Sequence, residues 1–207
     1  PEWTMPEGVW ASNNIVSWFT SYVDRMMQEL PKEITYFNTI NEPGIFSMFG
    51  YFSKQKFPPG IQNEKIFIKA SDNIIKAHKD SMNIIKSHNP NAKVAMTHAL
   101  HEWNDNEQSV LKKYIRYHLE DKFLFASKDD DYIALQTYSI KQASPNPFFR
   151  GITWILIKIP FLRNNLLPKF LDYFSGRNDY VTPGVRTTKM GYEYRPQAVK
   201  YNFHRIH

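Results

Sequence analysis

The order of strand and helix patterns along the chain is the feature that most restricts its fold. Short apolar runs with little polar alternation, which are typical of strands buried on both faces, occupy residues 33–41 and 92–98, and a third strand pattern occupies residues 131–139. Helical patterns, with apolar residues three and four positions apart, stand before, between and after them, at about residues 15–30, 64–87, 109–120 and 196–207. This alternation predicts βαβ units and a parallel sheet, so the expected fold class is α/β.

Length and composition favour one folded domain with a substantial core. The chain has 207 residues, of which 42% are hydrophobic and 15% aromatic, and this composition excludes an intrinsically disordered chain. Because there is no cysteine, disulfides and thiolate metal sites are excluded, which favours the cytoplasm. The first residues, PEWTMPEGVW, have no signal-peptide pattern, and we expect further residues to precede Pro1 because the sequence does not start with methionine.

The positive charge of the chain is concentrated in one segment. Between Lys141 and Arg177 there are six basic residues and one acidic residue, which accounts for +5 of the net charge of +6. The rest of the chain is close to neutral, so we expect no nucleic-acid partner. The segment is also too long for an ordinary loop. We therefore predict one domain over residues 1–207 that carries a basic, apolar insertion at about residues 141–185.

Residues 148–174 of this insertion allow three interpretations. They can form a lid that packs on the domain, a loop that contacts a hydrophobic part of a ligand, or a basic amphipathic surface that attaches peripherally to an anionic membrane. Pro160, Arg163 and Pro168 interrupt the segment too often for a membrane-spanning helix.

A carboxylate and an amide stand together at the end of the first predicted strand. Asn41 and Glu42 end the run YFNTINE, and Pro43 follows directly. In parallel α/β proteins, catalytic groups collect where strands end. A partly buried carboxyl group in that position can protonate a leaving oxygen and later deprotonate water. The adjacent amide can both donate a hydrogen bond to a hydroxyl group and accept one from it.

The motif around these residues resembles a known family. T-I-N-E-P, residues 39–43, is similar to the T-F-N-E-P signature of glycoside hydrolase family 1, the retaining β-glucosidases and β-galactosidases. Further landmarks of that family follow in the same order over almost the whole chain; they include P-E-W with G-V-W-A-S-N, G-Y at 50–51, P-P-G at 58–60, A-H at 77–78, D-Y-I-A-L-Q-T-Y-S, and M-G-Y-E-Y-R-P-Q-A-V. The resemblance implies a partial (β/α)8 TIM barrel that covers about strands four to six and their flanking helices.

The resemblance also implies roles for individual residues. Glu42 matches the catalytic acid/base, and Asn41 matches the residue that holds the 2-hydroxyl of the sugar. Tyr138 matches a tyrosine that hydrogen-bonds the nucleophile. Gln136 stands where the family has asparagine, and Thr137 replaces a tyrosine. Since glutamine keeps the amide chemistry but is one methylene longer, Gln136 is predicted to bind substrate with an altered reach.

The histidines near the predicted strands and helices differ in their expected roles. His98 opens the H-A-L-H-E stretch after the second strand, and we expect it to face the cleft and contact substrate. The spacing of the two histidines in that stretch matches no zinc signature, so we predict no metal and no cofactor. His78, on the second helix, is interpreted as a packed or hydrogen-bonded helix residue.

A retaining mechanism needs a second carboxylate, roughly 5 to 5.5 Å from the first. In the family it lies in a T-E-N-G motif, and no E-N-G occurs in the 207 residues. Glu193 matches a non-catalytic glutamate of the family. We therefore expect the nucleophile to lie outside this chain, the chain to be a middle part of the family sequence, and these residues alone to be inactive.

The predicted function is hydrolysis of β-linked O-glycosides, with retention of configuration through a covalent glycosyl-enzyme and with a small-molecule glycoside as substrate. The alternative is a non-catalytic, carbohydrate-binding or membrane-associated relative with the same fold. An E-N-G motif encoded after His207 favours the enzyme, and a barrel strand without a carboxylate there favours the alternative.

Overall fold

The computed structural model describes residues 2–53, 57–103, 109–137, 140–141, 147–175, 184–189 and 193–206. In these ranges the strands are β1 (Tyr36–Asn41), β2 (Lys93–Ala99), β3 (Glu102–Trp103), β4 (Ala134–Gln136) and β5 (Ile140–Lys141). The α-helices are α1 (Ile15–Glu29), α2 (Pro43–Ser47), α3 (Glu64–His88), α4 (Val110–Arg116), α5 (Lys122–Ala126), α6 (Pro147–Lys158), α7 (Pro160–Asn165), α8 (Leu167–Ser175) and α9 (Gln197–Ile206). The predicted alternation of helices and strands is confirmed.

The sheet consists of parallel strands in the order β1-β2-β4, so its strands lie side by side in the order in which they occur along the chain. The long helix α3 connects β1 to β2. A helical segment, formed by α4, a π-helical turn at Tyr117–Asp121 and α5, connects β2 to β4. Each connection is a βαβ unit, as the sequence predicts. The short strands β3 and β5 also pair in parallel, beyond the ends of β2 and β4.

Helices α1 and α3 cover one face of this sheet. The side chain of Asn63 caps α3 by accepting a hydrogen bond from the Ile66 N–H at 3.1 Å. Apolar residues of α3 recur on its inner face and are fully buried, among them Ile74 and Ala77, which pack in one cluster with strand residues Ile40 and Met96. Burial of this face attaches the helices to the sheet.

The opposite face of the sheet is covered less completely. The prediction of burial on both faces is confirmed for β2, which is buried along most of its length, but it is wrong for β1. Tyr36, Asn38 and Asn41 are exposed. All of them project from the face that α1 and α3 do not cover. Alternation along the strand places Tyr36 and Asn38 there, and a register shift between Asn38 and Asn41 returns Asn41 to the same face.

The predicted insertion is helical where the structure describes it. We call residues 147–171, from α6 into α8, the helical arm. Its buried side chains join the largest apolar cluster of the protein, which also contains residues of α3 and α4; from the arm they are Leu156, Ile157 and Leu167. None of the helices in the described ranges is long and apolar enough to cross a membrane.

Candidate active site

The ends of the parallel strands bring the predicted amide and carboxyl groups to one edge of the sheet. β1 ends at Asn41, directly before Glu42, and β4 ends at Gln136. The register pairs Asn41 with Thr97 of β2, and Gln136 with Ala99 of the same strand. The structure therefore places Asn41, Glu42 and Gln136 at one edge of the sheet. Tyr138 lies outside the described residues.

A hydrogen bond joins the two amides across the middle strand. Gln136 Nε2 donates to Asn41 Oδ1 at 2.7 Å, although β2 lies between their strands. The β2 residues on the same face are Thr97 and Ala99, whose small side chains leave room for this contact. Since the carbonyl of Asn41 is engaged by Gln136, its N–H₂ group remains a donor toward the open face. The additional methylene of Gln136 provides the reach for this contact.

An irregularity in β1 sets the direction of the residues before Glu42. Asn38 pairs with Ala95, whereas Asn41 pairs with Thr97, so β1 has one more residue than β2 between these pairs. Such a bulge bends a strand and redirects its side chains. As a result Thr39 bonds to the helix layer, while Asn41 projects from the open face.

Glu42 has a left-handed backbone conformation, with φ 48° and ψ 54°. This region is uncommon for any residue with a side chain, and it costs on the order of 1 to 3 kcal/mol. Backbone hydrogen bonds hold it there: the Glu42 N–H donates to Thr97 O at 2.8 Å, and its carbonyl accepts from the Ile45 N–H at 3.0 Å. The side chain is half-buried, and none of the described residues donates a hydrogen bond or forms an ion pair with its carboxylate.

The chain directly after Glu42 is helical. Pro43 occupies the first turn of α2, where its missing N–H would have had no partner. A Cβ on Gly44 would lie 1.8 Å from the carbonyl oxygen of Leu119. Glycine therefore permits α2 to lie directly against the π turn at Tyr117–Asp121, and this contact fixes the start of α2 behind Glu42.

His98 does not face the cleft, and the structure corrects that prediction. It lies between Thr97 and Ala99 in β2, so its side chain projects to the opposite face, among the helices. The side chain is 3% exposed, with Nε2 at 3.1 Å from Ser127 Oγ. Burial lowers the pKa of His98 to about 4, so it is neutral at physiological pH. The structure does not bring it together with Asn41 and Gln136.

A buried hydrogen-bond chain holds the strand behind the TINEP motif. Thr39 Oγ1 is 2.7 Å from His78 Nδ1, and His78 Nε2 is 2.8 Å from Asp130 Oδ1. The other Asp130 oxygen accepts from the Met96 N–H at 2.9 Å. His78 is fully buried, which confirms its interpretation as a hydrogen-bonded helix residue. These hydrogen bonds link β1, α3 and β2 on the helix-covered side of the sheet. They therefore hold the strand that ends directly before Glu42.

A second buried cluster, centred on Glu120, was not predicted from the sequence. Glu120 Oε1 accepts from the backbone N–H of His101 at 3.0 Å and lies 2.7 Å from its Nδ1, while Oε2 accepts from Trp103 Nε1 at 3.1 Å. Arg205 of α9 pairs with both Glu120 and Asp121. This cluster, which we call the Glu120 cluster, attaches the last helix to the segment after β2.

The H-A-L-H-E stretch thus divides between two structural networks. His98 lies in the helix layer and His101 contacts Glu120. Glu102 forms an ion pair with Arg195 at 2.7 Å. Across the described ranges, no group of three or more histidine, aspartate or glutamate side chains is arranged to hold a metal ion.

Comparison with known proteins agrees with the resemblance in the sequence. The family profile of glycosyl hydrolase family 1 matches residues 1–148. β-Glucosidase A of Thermotoga maritima is 20% identical over 211 residues, which cover 95% of this chain and 47% of the relative. The chain therefore spans about half the length of this curated relative.

Solved structures share the fold. A β-glycosidase called BGL167 superposes with a TM-score of 0.67 at 21% identity, over 100% of this chain and 48% of that one. Fpglu1 from Fervidobacterium pennivoraus has a TM-score of 0.71 at 19% identity, over 95% of this chain and 42% of that one. The predicted fold class, α/β with a partial (β/α)8 barrel, is confirmed.

Proposed function

The chain belongs to glycosyl hydrolase family 1, and on this basis we propose that the protein hydrolyses β-linked O-glycosides with retention of configuration. The observation that supports this most is the placement of Glu42. Its carboxyl group is half-buried at the end of a barrel strand, has no hydrogen-bond or ion-pair partner among the described residues, and stands beside an amide pair. A carboxyl group in this position can bond to a substrate oxygen, because it is not engaged in a contact that stabilises the fold.

In the proposed reaction Glu42 first protonates the departing glycosidic oxygen. A second carboxylate attacks the anomeric carbon from the opposite side and forms the glycosyl-enzyme. Glu42, now deprotonated, then removes a proton from the water that hydrolyses this intermediate. We place the nucleophile outside residues 1–207, since no E-N-G occurs among them, and we assign Tyr138 the role of hydrogen-bonding it.

Asn41 is the proposed contact to the sugar 2-hydroxyl. Its amide N–H₂ projects from the open face, because the hydrogen bond from Gln136 fixes the carbonyl on the other side. Gln136 thereby acts through Asn41, as a positioning residue. The substrate class is a small-molecule β-glycoside, and the reaction needs no cofactor.

The stereochemistry of the first product tests the proposed reaction. With the full-length protein and an aryl β-glucoside, proton NMR should show the β-anomer of the released sugar first, and the α-anomer only as it mutarotates. Initial release of the α-anomer would mean inversion and would exclude the glycosyl-enzyme. Failure to hydrolyse a panel of β-glycosides that the protein nevertheless binds would favour the non-catalytic alternative. The matching aryl α-glucoside is the control and should not be cleaved.

Shortening Gln136 should weaken the contact to the 2-hydroxyl. Gln136→Asn keeps the amide but cannot reach Asn41 across β2, so we expect kcat/KM to fall by about 3- to 10-fold, the value of one hydrogen bond. The fall should disappear with the 2-deoxy glycoside, which lacks the group that Asn41 holds. An equal fall for both substrates would show that Gln136 does not act through this contact. Gln28→Asn, which alters an amide on α1, is the matched control.

A further inference from the structure

One face of the helical arm attaches it firmly to the rest of the domain. Leu156, Ile157 and Leu167 are less than 10% exposed, and they pack in the cluster that includes Phe52 and Phe67. In addition to this packing, polar contacts join the arm to the first residues of α3. Arg163 Nε is 2.6 Å from a carboxylate oxygen of Glu64. The arm is thus a fixed part of the protein surface.

The arm lies at the same end of the sheet as the candidate active site. In a βαβ unit the helix begins near the C-terminal edge of the first strand and runs back toward the other edge. α3 therefore begins on the side where β1 ends at Asn41. Arg163 and Asn164 of the arm contact Glu64 and Lys65, the first residues of α3. The arm and Glu42 consequently share one end of the domain.

The outward face of the arm is apolar and aromatic. Its large side chains are between 45% and 77% exposed, and they are Phe148, Trp154, Ile155, Ile159, Phe161 and Leu166. In α6 these positions alternate with the buried ones at helical spacing, so the helix is apolar on both sides. Isolated exposed apolar residues are normal on a protein, whereas six large ones on a single 25-residue segment indicate an interaction surface.

The charge of the arm is positive throughout. Residues 147–171 contain Arg150, Lys158, Arg163 and Lys169 and no aspartate or glutamate. Arg163 is paired with Glu64, but Lys158 and Lys169 are exposed and form no ion pair with any described residue. The outward face therefore combines large apolar groups with positive charge that no described side chain balances.

We propose that the helical arm docks the protein peripherally on an anionic lipid surface. Trp154 and Phe161 would enter the boundary between head groups and acyl chains, while Lys158 and Lys169 extend along the apolar surface to the lipid phosphates. Lipid suits this face better than a second copy of the chain, because two such faces would bring like charges together. This inference goes beyond the proposed function and does not depend on it. Docking would hold the end of the sheet that carries Glu42 close to the lipid head groups.

Vesicle sedimentation with the full-length protein tests the docking. We expect binding to vesicles of phosphatidylcholine with phosphatidylserine, and at least tenfold weaker binding to vesicles of phosphatidylcholine alone. The double variant W154S/F161S should lower partitioning into the anionic vesicles by about 10-fold or more, because two aromatic side chains no longer insert. The double variant K158E/K169E should do the same, and it should abolish the preference for the anionic lipid.

Matched substitutions on other faces control for general effects. Phe125 is 68% exposed on α5 and Lys79 is exposed on α3, so F125S and K79E change the same residue types away from the arm. These variants should sediment with vesicles like the wild type. The proposal is overturned if the wild type does not bind anionic vesicles, or if the control variants lose as much binding as the arm variants. It is also overturned if the arm variants bind vesicles like the wild type but change the oligomeric state, because the outward face then contacts a second copy of the protein.

Discussion

The replacement Glu42→Gln is expected to slow the hydrolysis of β-glycosides with poor leaving groups by about 100- to 10,000-fold in the full-length protein. Glutamine has nearly the same shape but cannot donate a proton to the departing oxygen. An alkyl glycoside needs that proton, whereas a dinitrophenyl glycoside leaves as a stable anion and needs it little. We therefore expect the first step to remain fast with the activated substrate, so that its kcat/KM falls far less than that of the alkyl glycoside.

The comparison of these two substrates is what identifies an acid/base residue. Equal and small effects on both would contradict the assignment of Glu42, and equal and large effects would indicate a structural role. Glu33→Gln is the matched control, since Glu33 is exposed and precedes the other end of β1. It should leave both substrates unchanged. Circular dichroism of the variants should match that of the wild type, because Glu42 has no side-chain hydrogen bond that caps α2.

Replacement of Glu120 by alanine is expected to lower the free energy of unfolding by about 3 to 5 kcal/mol. The carboxylate is fully buried and accepts from His101 and Trp103 while it pairs with Arg205. Among the described residues, its removal leaves the largely buried guanidinium of Arg205 with Asp121 as its remaining acidic partner. Urea denaturation of the full-length protein measures the loss. The control Glu29→Ala breaks an exposed pair with Arg25 and should have little effect. A similarly small effect for Glu120→Ala would contradict the importance of the cluster.

The stabilisation by Glu120 should also depend on pH. Burial alone would raise the pKa of Glu120, but the hydrogen bond from His101 and the charge of Arg205 outweigh it and lower the pKa below its ordinary value. A group whose pKa is lower in the folded state stabilises the fold above its unfolded pKa, about 4.3, and loses this effect as the pH falls through the folded value. The difference in unfolding free energy between wild type and Glu120→Gln should therefore be constant near neutrality and shrink in acid. A difference that does not change with acidification would contradict this.

The sequence predicts the candidate site better than the surroundings that position it. The end of an apolar run marks the end of a strand, so the sequence placed Asn41 and Glu42 at the C-terminal edge of the parallel sheet, where the structure has them. Gln136 was identified only by the family resemblance, and β4 ends at this residue. The prediction that His98 faces the cleft was wrong, because the direction of its side chain depends on the register of β2 against its neighbouring strands. Neighbouring residues of a strand point to opposite faces, and Thr97 and Ala99 share the face of Asn41, so His98 cannot.

Other features leave weaker signals in the sequence. The bulge between Asn38 and Asn41 is defined by pairing with β2, and no residue of β1 marks it. The helix α2 had a signal, since Pro43 suits a first turn and Gly44 allows close packing, but it is shorter than most helical patterns. Single contacts in the Glu120 cluster join residues up to 85 positions apart, so no local pattern contains it.

The acid/base role of Glu42 is tested most sharply by the effect of azide on a Glu42→Ala variant of the full-length protein, assayed with an activated aryl β-glycoside. Without the acid/base residue the glycosyl-enzyme forms from this substrate, but no group activates water to hydrolyse it. Azide is a strong anionic nucleophile that needs no base, so it can attack the anomeric carbon and displace the enzyme carboxylate. We expect azide to increase the turnover of the variant but not of the wild type, and the product to be the β-glycosyl azide. No acceleration of the variant, or an α-glycosyl azide product, would contradict the assignment of Glu42 as the acid/base of a retaining glycosidase.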